Sequence, residues 1–144
     1  MFLGEFVHVL DDKGRLTIPA KFRAGLSDGL VITRGIDRCL VIYPLDEWNR
    51  LAAQVSALPL TNRSARAFRR LVFAGAHYAT PENDKQGRVL IPSRLREYAN
   101  LRDEVVIAGL NNYIEIWNPE AWAQEREQIE EDEGTVEGWA NLGI

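Results

Sequence analysis

A nine-residue segment recurs in similar form in the sequence: residues 11–19 read DDKGRLTIP, and residues 84–92 read DKQGRVLIP. The offset of 73 positions also carries Phe22-Arg23 onto Leu95-Arg96. With shifts of one or two residues, the match continues through the apolar segments that follow each copy. An ordered series of matches of this kind indicates an internal duplication.

Each copy of the repeat has the same local pattern. The Asp-x-x-Gly sequence is typical of a tight turn, in which Asp bonds back to the nearby backbone and Gly14 or Gly87 supplies a positive φ. The residues after each glycine predict a short β-strand that begins at Arg15 or Arg88. A proline ends each strand and can open a brief helix, which we expect at 19–24 and 92–99.

Apolar runs predict two further strands after each short helix, and each copy then continues into a longer helix. Asn118 is typical of an N-cap, with Pro119 at the first helical position. The segment 45–75 between the copies is predicted to be helical, with a break near 58–60. The acidic stretch after Gln124 is predicted to fray into a mobile tail. The two further strands of each copy, four in all, are expected near 30–33, 39–43, 104–108 and 113–117.

A module of this size buries too little apolar surface to be stable alone. We therefore expect an α+β fold in which the two copies share one core around a pseudo-two-fold axis. The predicted division is a first module at 1–50, a helical connector at 51–76, a second module at 77–124, and an acidic helix end and tail at 125–144.

Charge is unevenly distributed, which weakens any argument from the net charge of −4. Residues 1–118 contain 16 basic and 13 acidic residues, whereas residues 119–144 contain one basic residue and eight acidic ones. The body of the chain is therefore mildly basic, and phosphates respond to the local field of one surface. The single cysteine, Cys39, lies in an apolar run and is expected to be a buried core thiol in a reducing cytoplasm.

The two arginine-bearing turns are the best candidates for a binding site. Arg15 and Arg88 occupy related positions, and a guanidinium can donate two bonds to guanine or grip a phosphate. Asp11 and Asp84 are placed to orient these arginines by ion pairs. From the residues alone, an Asp–Arg brace within the hairpin is as good an interpretation as a ligand contact.

No constellation in the sequence predicts an enzyme, a metal site or a bound cofactor. His8 and His77 belong to no motif with ligand spacing, and one cysteine does not make a structural zinc site. His8 is expected to be a packing or surface residue. Trp48, Trp117 and Trp122 are expected in the core. Arg63, Arg66 and Arg70 share a helix face that is expected to be solvated or to contact another subunit.

The sequence resembles the MraZ family of bacterial transcriptional regulators. The resemblance is carried by Met1-Phe2-x-Gly4, by both repeat motifs with their following arginines Arg23 and Arg96, and by Glu115-Ile116-Trp117. It covers about residues 1–130, and implies two tandem modules of the SpoVT/AbrB type with a swapped-hairpin, double-ψ-like β fold. It also implies a ring-shaped homo-oligomer that binds short direct repeats upstream of a division and cell-wall gene cluster, in the cytoplasm at the nucleoid.

The same resemblance implies that Arg15 and Arg88 contact double-stranded DNA. Lys13 is a flanking candidate for phosphate; its counterpart Gln86 lacks charge, and Lys85 takes its place. Arg23 and Arg96 are expected to hydrogen-bond carbonyl groups rather than meet phosphate. The full predicted DNA site is Asp11, Lys13, Gly14, Arg15, Asp84, Lys85, Gly87 and Arg88.

A second hypothesis is a protein-interaction module of the same fold, similar to an antitoxin, in which DNA binding is secondary. The acidic tail would then be the contact, or would shield the basic surface from non-specific DNA.

Overall fold

The strands form one six-stranded antiparallel sheet and a separate two-stranded ribbon, within an α+β fold. The computed structural model describes residues 1–81, 84–133 and 136–143. Strands β1 to β8 span, in chain order, Phe2–Val9, Arg15–Thr17, Leu30–Arg34, Leu40–Pro44, His77–Ala79, Arg88–Leu90, Glu104–Asn111 and Ile114–Trp117. The larger sheet has the order β1-β7-β8-β4-β3-β5, and β2 pairs with β6 to form the ribbon.

The helices begin where the sequence places caps and prolines. The Asn62 side chain accepts a bond from the Ala65 amide at 3.0 Å, and Asn118 caps its helix in the same way. The predicted break in the connector is confirmed at 57–62, between the second and third helices. Helices α1 to α6 span Ala20–Arg23, Leu45–Ser56, Arg63–Arg69, Ser93–Tyr98, Pro119–Gln128 and Val136–Ala140.

The chain after Gln124 stays helical as far as residue 133. Helix α5 continues to Gln128, and a π turn follows at Ile129–Glu133. Arg126 lies 3.6 Å from a Glu5 carboxylate oxygen and 3.7 Å from one of Glu130, so opposite charges support this segment. The predicted helix end therefore extends as far as residue 133, and the mobility of the tail stays a prediction; residues 134, 135 and 144 of it lie outside the described residues.

The two copies exchange strands. The first strand of copy one, β1, pairs along its whole length with β7 of copy two, from Phe2 opposite Asn111 to Val9 opposite Glu104. In return, β5 at the start of copy two pairs with β3 of copy one. The pairing of β4 with β8 joins the two halves of the sheet, with Val41 opposite Glu115. This crossed pairing confirms the predicted swapped arrangement.

One core lies between the sheet, the ribbon and the short helices. Phe22 of α1 is 1% exposed and meets the rings of Phe2 and Phe6 edge-on, at centroid distances of 5.4 and 5.2 Å. Leu16 and Val89 of the ribbon point into the same cluster, together with residues of both halves of the sheet. Each such side chain contributes about 1.5–3 kcal/mol on burial. The shared core of the prediction is therefore confirmed.

A smaller cluster covers the opposite face of the sheet. Cys39 is buried there with Val106 and Trp117, and Trp122 of α5 packs against them. Burial raises the pKa of the Cys39 thiol far above its ordinary value, with the Glu115 carboxylate adding to the effect. The core roles predicted for Cys39 and Trp117 are confirmed.

Strand β1 forms one edge of the large sheet, and its outer side chains are uncovered. Leu3, Val7 and Val9 are 57%, 57% and 63% exposed. An edge strand with apolar side chains is a surface on which another chain can pair. Within the described ranges, no helix is long and apolar enough to cross a lipid bilayer.

Candidate functional site

The first arginine-bearing turn is organised by Asp11. One carboxylate oxygen of Asp11 accepts bonds from the backbone amides of Lys13 and Arg15, at 3.0 and 2.8 Å. The other oxygen accepts from Arg15 Nε at 2.7 Å. The backbone bond from Arg15, together with those from its side chain and from Lys13, holds the pKa of Asp11 below its usual range against a smaller effect of desolvation. The carboxylate of Asp11 thus stays charged and holds the Arg15 side chain by its Nε atom.

The second turn repeats this geometry. Asp84 accepts from the Gln86 amide at 2.7 Å and from Arg88 Nε at 2.9 Å. The bond from Gln86 lowers the pKa of Asp84 most, and both Arg88 and Arg15 of the other copy lower it further. The charge of the first turn thus acts on the carboxylate of the second.

Both glycines of the turns have the backbone conformation that the sequence predicts. Gly14 has a φ of 79° and Gly87 has a φ of 68°. Both lie in the left-handed region, which residues with a Cβ atom rarely adopt. Each turn closes with a bond from the glycine amide to the aspartate carbonyl, 3.0 Å in both copies. The glycines therefore allow the aspartate to reach forward to the arginine.

The ribbon brings the two copies of the motif together. Arg15 lies opposite Leu90, Leu16 opposite Val89, and Thr17 opposite Arg88. Because side chains alternate along a strand, Leu16 and Val89 face the core, and the other four residues form the outer face. The hydroxyl-bearing Thr17 and the 45% exposed Leu90 thus lie beside the arginines. Sequence reasoning missed these two, although alternation within the repeat places them on that face.

The Asp–Arg pairs leave part of each guanidinium for other partners. The side chains of Arg15 and Arg88 are 30% and 27% exposed. Among the described residues, their side-chain hydrogen bonds run through Nε, so the two Nη groups of each remain for a ligand. Lys13 and Lys85 are exposed on the flanking turns. The arrangement combines a braced pair of arginine forks with two flanking cations.

Arg23 and Arg96 bond to backbone carbonyls at the ends of the ribbon strands, as expected. Arg23 Nε donates to the Ile18 carbonyl and Arg96 Nε donates to the Ile91 carbonyl, each at 3.0 Å. Both side chains are half-buried. Each also lies against the glycine turn of the other copy, a contact that was not predicted because local sequence does not show which turn each short helix meets.

Other predicted residues lie outside this ribbon. Arg66 donates to the Leu60 carbonyl at 2.9 Å, so it holds the break between α2 and α3. His8 shares a 2.7 Å hydrogen bond with the Thr17 carbonyl, which fits the packing role expected for it. In the described part of the chain, no group of three or more His, Cys, Asp or Glu side chains is arranged to hold a metal ion.

Comparison with known proteins identifies the family. The family described as "MraZ protein, putative antitoxin-like" matches the chain twice, over residues 1–71 and 72–137. The protein is 54% identical to the transcriptional regulator MraZ of Thermomicrobium roseum over 129 residues, which cover 90% of this chain and 89% of the relative. It is 49% identical to the transcriptional regulator MraZ of Halothermothrix orenii over 145 aligned residues, which cover all of both chains. The relatives are named as regulators of transcription rather than as enzymes, and the chain belongs to the MraZ family of transcriptional regulators.

Proposed function

We propose that the protein is a sequence-specific repressor that binds double-stranded DNA through the outer face of the β2–β6 ribbon. The observation that carries this proposal is the pair of arginines on that face, each held at Nε by an aspartate. A two-stranded ribbon fits the major groove of DNA. The Nη groups of Arg15 and Arg88 can then donate to guanine O6 and N7, or to phosphate oxygens.

The neighbours of the arginines complete the proposed site. Lys13 and Lys85 are exposed on the turns and would neutralise backbone phosphates. Asp11 and Asp84 orient the arginines, while Gly14 and Gly87 allow the turns to form. These neighbours therefore determine where the two forks lie on the duplex.

We further propose that the protein assembles into a ring and binds short direct repeats upstream of its own gene and the adjoining division and cell-wall genes. One chain offers few cations at the ribbon, so affinity must come from several ribbons that meet repeats at matching spacing. The uncovered apolar edge of β1, with Leu3, Val7 and Val9, supports contact between copies. Such a protein would work in the cytoplasm, at the nucleoid.

A gel-shift titration tests the proposal. The probe is a fragment from upstream of the protein's own gene, with a shuffled fragment of equal length as competitor. We expect Arg15→Ala and Arg88→Ala each to weaken specific binding, by about 1–3 kcal/mol where the arginine donates two bonds to one base. Arg50→Ala is the matched control, because it removes an equal charge from an exposed residue that pairs with Glu47 on α2. Binding by both ribbon variants with the wild-type affinity would contradict the assignment.

A protein-interaction role of the antitoxin type is the second candidate. The description of the family as antitoxin-like and the exposed edge of β1 both favour it. It would gain support if the wild-type protein bound its own upstream fragment no better than the shuffled one. Size-exclusion chromatography with light scattering tests the ring, and a monomer at micromolar concentration would contradict it.

A further inference from the structure

Each glycine turn of the ribbon is covered by an arginine of the other copy. A Cβ atom on Gly14 would lie 2.7 Å from Cζ of Arg96 and 2.8 Å from its Nε. A Cβ atom on Gly87 would lie 2.7 Å from Cζ of Arg23. Each guanidinium therefore lies directly against the turn of the opposite copy, and the contact is reciprocal.

Backbone hydrogen bonds fix the same crossed arrangement. The Ile18 amide of copy one donates to the Gly87 carbonyl at 3.0 Å, and the Ile91 amide of copy two donates to the Gly14 carbonyl at 2.9 Å. Arg23 bonds the carbonyl of that same Ile18, and Arg96 bonds that of Ile91. The turn of each copy is thus held by one backbone bond from the isoleucine that precedes the other copy's short helix, and by one guanidinium from that helix.

We propose that Arg23 and Arg96 are positioning residues for DNA binding, and that each acts through the hairpin of the other copy. Arg96 holds the turn that presents Arg15, and Arg23 holds the turn that presents Arg88. The inference rests on the proposed function, since it assigns these arginines a role in the same ribbon. A positioning role differs from a direct phosphate contact, in which Arg23 and Arg96 would act independently of the ribbon arginines.

The physical basis is the narrow geometry of a bidentate contact. An arginine fork must reach its acceptors within hydrogen-bonding distance and in plane, and a turn that moves by an ångström breaks one of the two bonds. Removing the covering guanidinium leaves a space above the buried glycine of the turn. The turn then samples more positions, and the fork it carries is less often in register with the DNA.

Crossed double-mutant cycles test this role. Affinity for the upstream fragment is measured for Arg96→Ala alone, with Arg15→Ala, and with Arg88→Ala. We expect Arg96→Ala alone to weaken binding by about three- to tenfold, which is within the range of coupling between residues in contact. In the Arg15→Ala background its further effect should fall below about twofold. In the Arg88→Ala background it should keep its full effect, and Arg23→Ala should show the mirror-image pattern.

Two further measurements separate positioning from charge and from folding. Arg96→Lys keeps the positive charge but lacks the planar group and the Nε donor, so we expect it to bind as weakly as Arg96→Ala. The salt dependence of binding should keep its slope, whereas removal of a phosphate contact lowers the slope by about 0.9. Thermal unfolding checks that each variant is folded, and Arg96→Lys replaces Arg96→Ala in the cycles if the alanine variant does not fold.

The outcomes are distinct. The crossed pattern with an unchanged slope supports the positioning role. Equal weakening in both backgrounds, or recovery of affinity by Arg96→Lys with a lower slope for Arg96→Ala, overturns it in favour of a direct phosphate contact. If Arg15→Ala and Arg88→Ala bind as wild type does, the proposed function itself fails, and the positioning role fails with it.

Discussion

Replacing Gly14 with alanine tests whether the first turn and Arg96 are energetically coupled in the folded protein. Two costs are expected. Alanine in the left-handed conformation of φ 79° costs about 1–2 kcal/mol. Its Cβ atom must also displace the Arg96 guanidinium and strain the bond to the Ile91 carbonyl, at about 1 kcal/mol. Gly14→Ala should therefore lower the free energy of unfolding by about 2–3 kcal/mol.

The cost of backbone strain and the cost of displacing the Arg96 guanidinium can be measured separately in the Arg96→Ala variant. In Arg96→Ala the covering guanidinium is absent, so Gly14→Ala should cost only the backbone component of about 1–2 kcal/mol. The difference of about 1 kcal/mol exceeds the error of about 0.3–0.5 kcal/mol usual for such cycles. Gly87→Ala with Arg23→Ala is an independent repeat of the experiment in the other copy.

Urea unfolding followed by tryptophan fluorescence measures these energies, at one protein concentration because the proposed assembly would also contribute to stability. Gly143→Ala is the matched control: its φ is 78°, and among the described residues other than its chain neighbour no heavy atom lies within 4 Å of the site of a new Cβ. It should show no coupling to Arg96→Ala. An equal cost of Gly14→Ala in both backgrounds would refute the contact between Arg96 and the turn.

The packing of the sheet and of α5 leads to three other predictions. Iodoacetamide should leave Cys39 unmodified in the native protein and modify it fully in urea, because the thiol is buried with a raised pKa; rapid native alkylation would contradict this burial. Burial also raises the pKa of Glu115, outweighing the bond from Trp117 Nε1, so the folded state binds this proton more tightly than the unfolded chain and stability falls as pH rises through the raised pKa. Glu115→Gln should therefore stabilise the protein more at pH 7 than at pH 4 in urea unfolding, and an equal effect at both would count against the burial penalty. Asn118→Ala should lower the free energy of unfolding by about 1–2 kcal/mol because Asn118 caps α5, while Asn118→Asp should keep most of the cap; equal stability of both variants would show that the cap contributes little.

Much of the local structure could be predicted from the residues. The repeated Asp-x-x-Gly-Arg motif indicated two equivalent turns, and the structure shows both with positive φ at the glycine. Asn118 marked a helix start because its side chain satisfies free backbone amides. These features depend on residues close in sequence, so a linear reading is sufficient.

The partners of the strands could not be predicted in the same way. Period-two alternation shows which side of a strand is buried but not which strand lies beside it. Strand β5 has three residues, too few for a clear pattern, and was missed. The contacts of Arg23 and Arg96 with the opposite turns accompany the pairing of β2 with β6 and were not predicted either. The boundaries at 50, 76 and 124 stay a prediction, since strands from both copies alternate in one sheet.

The exchange of strands within one chain has a consequence for the kind of DNA sequence that can be read. Two identical subunits related by a two-fold axis present the same chemistry twice, and so favour palindromes. Here the halves are joined covalently and have diverged: Lys13 in one turn corresponds to the uncharged Gln86 in the other. The two halves thus keep equivalent turns while their exposed side chains differ. If the ribbon binds DNA as proposed, it can therefore distinguish the two orientations of an asymmetric site, as binding to direct repeats requires.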